Sequence, residues 1–265
     1  MTYREYPLHP RLKPFVKLIY SFEGEPETSA GMPWRILPDT CVEVVLHVER
    51  PYLTTFPNGE KVMQPHSFVM AQMQQFVEIQ PSGKTGFIAV RFTSVGAHHF
   101  FPMPVGGFSG GQIPLLEVWG NLASELEDKL HSPLSMAQKV EAVQCCLLLQ
   151  LSRNGDYEPL VYHCLEMIYA RKGLISVSDL AGQVGISTRQ LLRRFDHRVG
   201  ASPKEFCRVV KFLATCRQLR LSQNALLTDI AYTSGYADQS HFIHDFREFS
   251  GLTPGEFLQA ENVFF

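Results

Sequence analysis

The chain has 265 residues, 45% of them apolar, and a formal net charge of −2. That length holds one large domain or two ordinary ones with real cores, and the charge balance gives by itself no hint of a nucleic-acid partner. The six cysteines, at 41, 145, 146, 164, 207 and 216, lack the paired spacing of a zinc site and the density of a secreted disulfide scaffold, so buried free thiols in a reducing cytosol are expected.

The N-terminal stretch MTYREYPLHPRLKPF has no apolar core after its charges, and no apolar run reaches membrane-spanning length. A cytoplasmic location without membrane insertion is therefore expected. From Pro33 to about Phe101, short apolar runs (CVEVVLHV, HSFVMAQM, GFIAVRF) alternate with turn signals (PNGEK, PSGKTG), which predicts a β-rich sandwich or barrel. After the Gly-rich PVGGFSGGQIP the period changes. IPLLEVWGNLASELEDKL and LSMAQKVEAVQCCLLLQLSR carry apolar residues at helical spacing and predict a helical hairpin. The polar break SRNGDYEP then divides the chain into residues 1–155, β-rich with C-terminal helices, and residues 156–265, all helical.

Within the helical half a unit occurs twice. VSDLAGQVGISTRQLLRRFDHRVGASPKEF, from Val177, matches LTDIAYTSGYADQSHFIHDFREFSGLTPGEF, from Leu227. Asp179, Ala181 and Gly185 face Asp229, Ala231 and Gly235; after one inserted residue, Leu191, Phe195, Gly200, Pro203 and Phe206 face Phe242, Phe246, Gly251, Pro254 and Phe257. Glycine, proline and aromatic positions falling in step mark a duplication.

Each copy has the layout of a helix-turn-helix. A small residue, Ala181 or Ala231, lets two helices approach, and a glycine, Gly185 or Gly235, ends the first helix in a left-handed conformation. Ser187 or Asp238 then caps a second helix. That helix buries Leu191 and Phe195, or Phe242 and Phe246, which leaves Thr188, Arg189, Leu192 and Arg193 outward in copy one and Gln239, Ser240, Ile243 and His244 outward in copy two. These eight residues are the candidate base contacts. Arg189 and Arg193 lead them, because arginine donates twice to guanine, and Gln239 suits adenine.

Nine basic residues fall between Gly185 and Ala225 (Arg189, Arg193, Arg194, Arg198, Lys204, Arg208, Lys211, Arg217, Arg220) against Asp196 and Glu205. Of these, Arg194, Arg198, Lys204, Arg208 and Lys211 are expected as phosphate contacts or as simple solvated charge. From Leu226 onward Arg247 stands alone against six acids, so copy one should supply most of the attraction to phosphate. FCRVVKFLATCRQLRLSQ, between the copies, predicts an amphipathic spacer helix able to hold two reading helices about 34 Å apart, one turn of DNA.

His241, His244 and Asp245 suggest at first a shared cation, since residues three and four apart lie on one helix face. The duplication places His244 opposite Arg193 and gives it instead to a DNA-facing or solvated surface. No metal and no cofactor are expected.

STRQLLRRF, GASPKEF, DIAYTSGYADQSHFIHDF and GLTPGEF together resemble an AraC/XylS-type transcriptional regulator over Leu160 to Leu258. The resemblance implies two helix-turn-helix units on double-stranded promoter DNA, with RNA polymerase as a further partner. The family's commonest residue at the position of His244 is arginine, and this chain departs there. Residues 1–155 resemble, less specifically, the cupin-like β-barrel fused to one branch of such regulators, which implies small-molecule sensing or dimerisation. Trp34, Phe68, Phe76, Phe87 and Phe92 are then barrel core or an effector cage, and the hairpin within residues 113–153 is the expected homodimer contact. The expected fold is α+β in two domains.

Two other classes compete. A cupin-like enzyme with an appended helical interaction domain would need an HxH motif with a nearby Glu, whereas His47, His66, His98 and His99 are isolated or merely adjacent. A thiol sensor would use Cys41, Cys145 or Cys146.

Overall fold

A computed structural model describes residues 2–24, 33–108, 111–151, 158–221 and 226–265. The break expected near residue 155 lies outside the described residues.

Strand alternation decides the first half. In β4 (Glu43–His47) and β9 (Thr85–Phe92), which pair antiparallel, Val44, Leu46, Ile88 and Val90 point one way and Glu43, Val45, His47, Phe87 and Arg91 the other. Successive side chains of a strand leave opposite faces, so each strand serves two layers at once. The aliphatic face joins the principal core. There it meets Val140, Val143 and Leu147 of α3 (Met136–Leu151), with α1 (Leu115–Trp119) and α2 (Asn121–His131) beside it. Each fully buried aliphatic side chain in this layer contributes about 1.5–3 kcal/mol.

The ladders form two sheets. One has the order β1 (Thr2–Tyr6), β2 (Val16–Gly24), β9, β4, β7 (Ser67–Met70), β10 (Gln112–Pro114). The other has the order β11 (Val263–Phe264), β3 (Trp34–Ile36), β8 (Val77–Pro81), β5 (Tyr52–Thr55), β6 (Lys61–Met63). No ladder joins them among the described residues, so the strands make a two-sheet sandwich where a closed cupin-like barrel was expected. The polar-aromatic face of β4 and β9 looks into the space between the sheets, a cavity of about 440 Å³.

The second half is helical: α4 (Pro159–Ala170), α5 (Val177–Gln183), α6 (Thr188–Arg198), α7 (Pro203–Leu221), α8 (Leu227–Thr233), α9 (Gln239–Ser250) and α10 (Pro254–Gln259). Two cores flank α7. Leu191, Phe195 and Phe206 anchor one, and Phe242, Phe246 and Phe257 the other, so the aromatic positions matched in sequence are matched in burial.

The two halves are joined at the duplicated glycines. Gly200 (φ 84°) and Gly251 (φ 69°) both adopt the left-handed conformation at the ends of α6 and α9. A Cβ on Gly200 would lie 2.7 Å from Cγ1 of Val105, and one on Gly251 would lie 2.5 Å from the Phe76 ring. Each glycine therefore serves a turn and a close approach to the β-rich half. Arg35 reinforces the second contact, donating to the Ser250 carbonyl at 3.1 Å, pairing with Glu78 at 2.6 Å and stacking on Phe76 at 4.5 Å. Beyond α10 the chain returns to the sandwich, where β11 runs parallel to β3.

Candidate nucleic-acid interface

Both helix-turn-helix units close by the same bonds. The Ile186 amide donates to the Ala181 carbonyl at 3.1 Å and the Tyr236 amide to the Ala231 carbonyl at 3.0 Å, across Gly185 (φ 69°) and Gly235 (φ 75°). The backbone must turn left-handed there for the bond to reach back, which is why glycine stands at both positions. The second helices are then capped. Ser187 accepts from the Gln190 amide at 3.2 Å while the Gln190 side chain accepts from the Ser187 amide at 3.0 Å, and Asp238 accepts from the His241 amide at 2.8 Å. Ser187→Ala is expected to cost about 1 kcal/mol in urea unfolding of the full chain, since α6 loses a cap.

With their C-terminal ends docked on the β-rich half, α6 and α9 present their first turns to solvent. Thr188, Arg189, Leu192 and Arg193 are all exposed on α6, whose other side is fastened by the buried Leu191 and Phe195. On α9, Gln239, Ser240 and His244 are exposed, whereas Ile243 is half-buried against the second helical core. The Gln239 carbonyl oxygen accepts from Thr228 at 3.1 Å, which leaves its amide hydrogens for an outside acceptor. His244 thus stands where the sequence register put it. Asp245 does not share its face: the Asp245 side chain is 7% exposed and turned inward. Among the described residues no three His, Cys, Asp or Glu side chains converge as a metal site.

The expected phosphate contacts divide. Arg194 is taken by Glu158. Arg208 pairs with Asp245 at 2.5 Å and Glu248 at 2.9 Å and lies 4.8 Å over the Phe249 ring. Lys211 sits 3.6 Å over the Tyr236 ring and 3.9 Å from Asp245; burial lowers its pKa against the pull of that carboxylate. All three cations are met by carboxylates inside the chain. Arg198 is half-buried in a small hollow with Glu158 and His98, facing the β-rich half rather than the outward first turns. Lys204 is exposed at the start of α7. Two exposed cations, Arg171 and Lys172, lie in the turn that leads into α5, outside the stretch whose charge excess drew notice in the sequence. Arg217, on α7, is exposed as well.

Of the candidate effector residues, Trp34, Phe68 and Phe87 line the cavity between the sheets. Phe92 does not: five residues from Phe87 on one strand, it faces the helices and is fully buried in the principal core. Phe76 lies at the junction under Gly251 and beside Arg35. The cysteines Cys41, Cys164, Cys207 and Cys216 are buried, and burial pushes the Cys164 and Cys207 thiols up to about 11 and Cys41 to about 12. A thiol that stays protonated at neutral pH is a poor sensor, and Cys41 is therefore disfavoured for that role.

Residues 180–260 match the helix-turn-helix domain family, and residues 4–114 match a domain family of unknown function (DUF6597). The HTH-type transcriptional activator RhaS of Yersinia pestis (strain Pestoides F) is 30% identical over 131 residues, 48% of this chain and 46% of that protein. The RhaS of Yersinia pseudotuberculosis serotype O:1b (strain IP 31758) matches to the same extent. The chain thus spans about half the length of the curated relatives it matches. Among solved structures, ToxT from Vibrio cholerae superposes over 98% of both chains with a TM-score of 0.48 at 11% identity. A regulator from Chromobacterium violaceum with an AraC-type DNA-binding domain covers 38% of this chain and 90% of its own, with a TM-score of 0.36 at 24% identity. Both superpositions are too loose to carry weight.

Proposed function

We propose that the chain is a transcriptional regulator of the AraC/XylS type, on the strength of its duplicated helix-turn-helix half, and that it binds double-stranded promoter DNA with both units at once. One observation carries this reading. Two capped helices with exposed first turns, bearing Arg189 and Arg193 on one and Gln239 and His244 on the other, hang from a single helix of 19 residues. At 1.5 Å per residue α7 is about 28 Å long, the scale of one turn of DNA.

In this reading Arg189 and Arg193 read guanines in one major groove, and Gln239 and His244 read the next. Thr188, Leu192 and Ser240 complete the two surfaces, with Ile243 reaching less far. Lys204, Arg171, Lys172 and Arg217 are left for phosphates. The cavity between the sheets is the place for effector control. The helices within residues 113–153 are the surface for a second copy, and RNA polymerase is the partner through which promoter binding would act.

The test is an unbiased DNA selection with the purified chain, followed by a salt titration on the enriched site. Enrichment of two short motifs about one helical turn apart is expected, with affinity falling steeply as salt rises; four phosphate contacts would give a log–log slope of about −3.6. Failure to enrich any sequence, or affinity indifferent to salt, would sink the proposal.

A further inference from the structure

Row by row, the cavity between the sheets is built from acceptors at its ends and rings in its middle. Arg91 of β9 stands opposite Glu43 of β4, and Phe87 stands opposite His47. At the first end Arg91 is shared by two carboxylates, Asp39 at 3.1 Å and Glu43 at 3.6 Å. Glu43 also accepts the Tyr20 hydroxyl at 2.9 Å, yet burial outweighs Arg91 and leaves its pKa above the ordinary carboxylate range. Two carboxylates face one guanidinium here, and Arg91 Nε is itself buried without a hydrogen-bond partner among the described residues. With both acids ionised, the surplus charge at this end is negative.

At the other end His47, 1% exposed, is fixed by Gln64. The Gln64 amide donates to Thr54 at 3.1 Å, so its carbonyl oxygen accepts from His47 Nε2–H at 2.8 Å. That assigns the proton to Nε2 and makes Nδ1 a bare acceptor, and among the described residues Nδ1 has no hydrogen-bond partner. The ring is held neutral, its pKa pushed down to about 4 by burial. Four residues of one strand separate Glu43 from His47, roughly 13 Å at the usual rise. Phe22, Trp34, Tyr52 and Phe87 form a continuous circuit of ring contacts on the way, with neighbouring centroids 5.3–5.9 Å apart.

One wall comes from the far end of the chain. Phe264 and Phe265 line the cavity, Phe264 lying 6.3 Å from Trp34. Their strand is held by the Arg35 amide on the Asn262 carbonyl at 2.8 Å and the Leu37 amide on the Phe264 carbonyl at 2.9 Å. Arg220 of α7 donates to the Val263 carbonyl at 3.1 Å and stacks on both Phe257 of α10 and Phe265. The cavity wall and the second helix-turn-helix unit are thus one mechanical piece.

We propose that this cavity binds a monocationic aromatic amine bearing a second hydrogen-bond donor, ammonium toward Glu43 and donor toward His47 Nδ1, and that β11 transmits its occupancy to α9. The transmission rests on the effector control and DNA binding proposed for this chain; the binding does not.

The test starts without DNA, titrating the full chain with tyramine, phenethylamine and 4-hydroxyphenylacetate by calorimetry and by tryptophan fluorescence, to which Trp34 and Trp119 both contribute. Tyramine is expected to bind at least about tenfold tighter than the anion of the same ring and hydroxyl, because its ammonium meets two carboxylates where the anion meets them with Arg91 alone as a partner. Glu43→Gln should weaken tyramine by about the same factor, and His47→Phe should abolish its advantage over phenethylamine. The comparison of ligands needs no variant, so a misfolded mutant leaves it intact. Equal or tighter binding of 4-hydroxyphenylacetate, or no binding of any of the three, overturns the ligand class. In the DNA arm, saturating tyramine should change affinity for the selected site by at least about threefold, and Phe264→Ala with Phe265→Ala should remove that change. Tyramine binding with unaltered DNA affinity overturns the transmission. A ligand-free chain that selects no DNA strikes the DNA reading alone, because the binding arm is decided separately.

Discussion

Alanine at both Arg189 and Arg193 is expected to lower affinity for the selected DNA site by roughly thirty-fold or more, two readout pairs at about 1–3 kcal/mol each. Nothing in the fold depends on these side chains: both are exposed, and α6 is held from behind by Leu191 and Phe195 and from below by the Ser187 cap. Melting should therefore move little, as for most surface substitutions. Competition binding against site variants checks the assignment, because loss confined to one of the two motifs marks base readout and uniform loss marks phosphate contact. His244→Ala should relax preference in the other motif. A double variant that binds like the parent chain would remove α6 from the interface.

Asp245→Ala is expected to destabilise the chain by about 3 kcal/mol in urea unfolding, the low end of the range for breaking a buried pair. Asp245 lies beneath Arg208 and Lys211 and accepts the Tyr236 hydroxyl at 3.1 Å. Its removal strands a half-buried ammonium and a buried phenol, while Arg208 keeps Glu248 and some solvent, which holds the loss at the low end. A complementary result is expected at Arg208. Because its charge is met inside the chain, Arg208→Gln should leave the salt dependence of DNA binding unchanged even where it lowers stability. A shallower salt slope in that variant would return Arg208 to the phosphate contacts.

The duplication was legible because glycine, proline and aromatic residues are each demanded by local geometry. Gly185 and Gly235 turn left-handed, Pro203 and Pro254 begin helices, and Phe195 and Phe246 fill equivalent cores. The cations were not legible in the same way. Charge counting along the chain sees Arg194, Arg208 and Lys211, but the carboxylates that pair with Arg194 and Arg208 lie 36 and 37 residues away, and only the folded chain brings them close. The β-rich character of residues 33–101 was readable from short apolar runs between turn signals, whereas β1, β2, β10 and β11 outside that span were not, nor were the ladders: β3 pairs with β8 and with β11 at the opposite end of the chain, and two open sheets result. Phe92 is a different case. Its odd separation from Phe87 on one strand already puts the two on opposite faces, so the period of two, applied strictly, separates cavity residue from core residue.

The most direct test of the account is a footprint of one full chain on its selected site, read by base-methylation interference in the major groove. Two protected patches on one face of the duplex, centred about 10–10.5 base pairs apart, are expected if α6 and α9 enter successive grooves. A single patch, or two patches half a turn out of phase, would contradict paired reading by the duplicated unit.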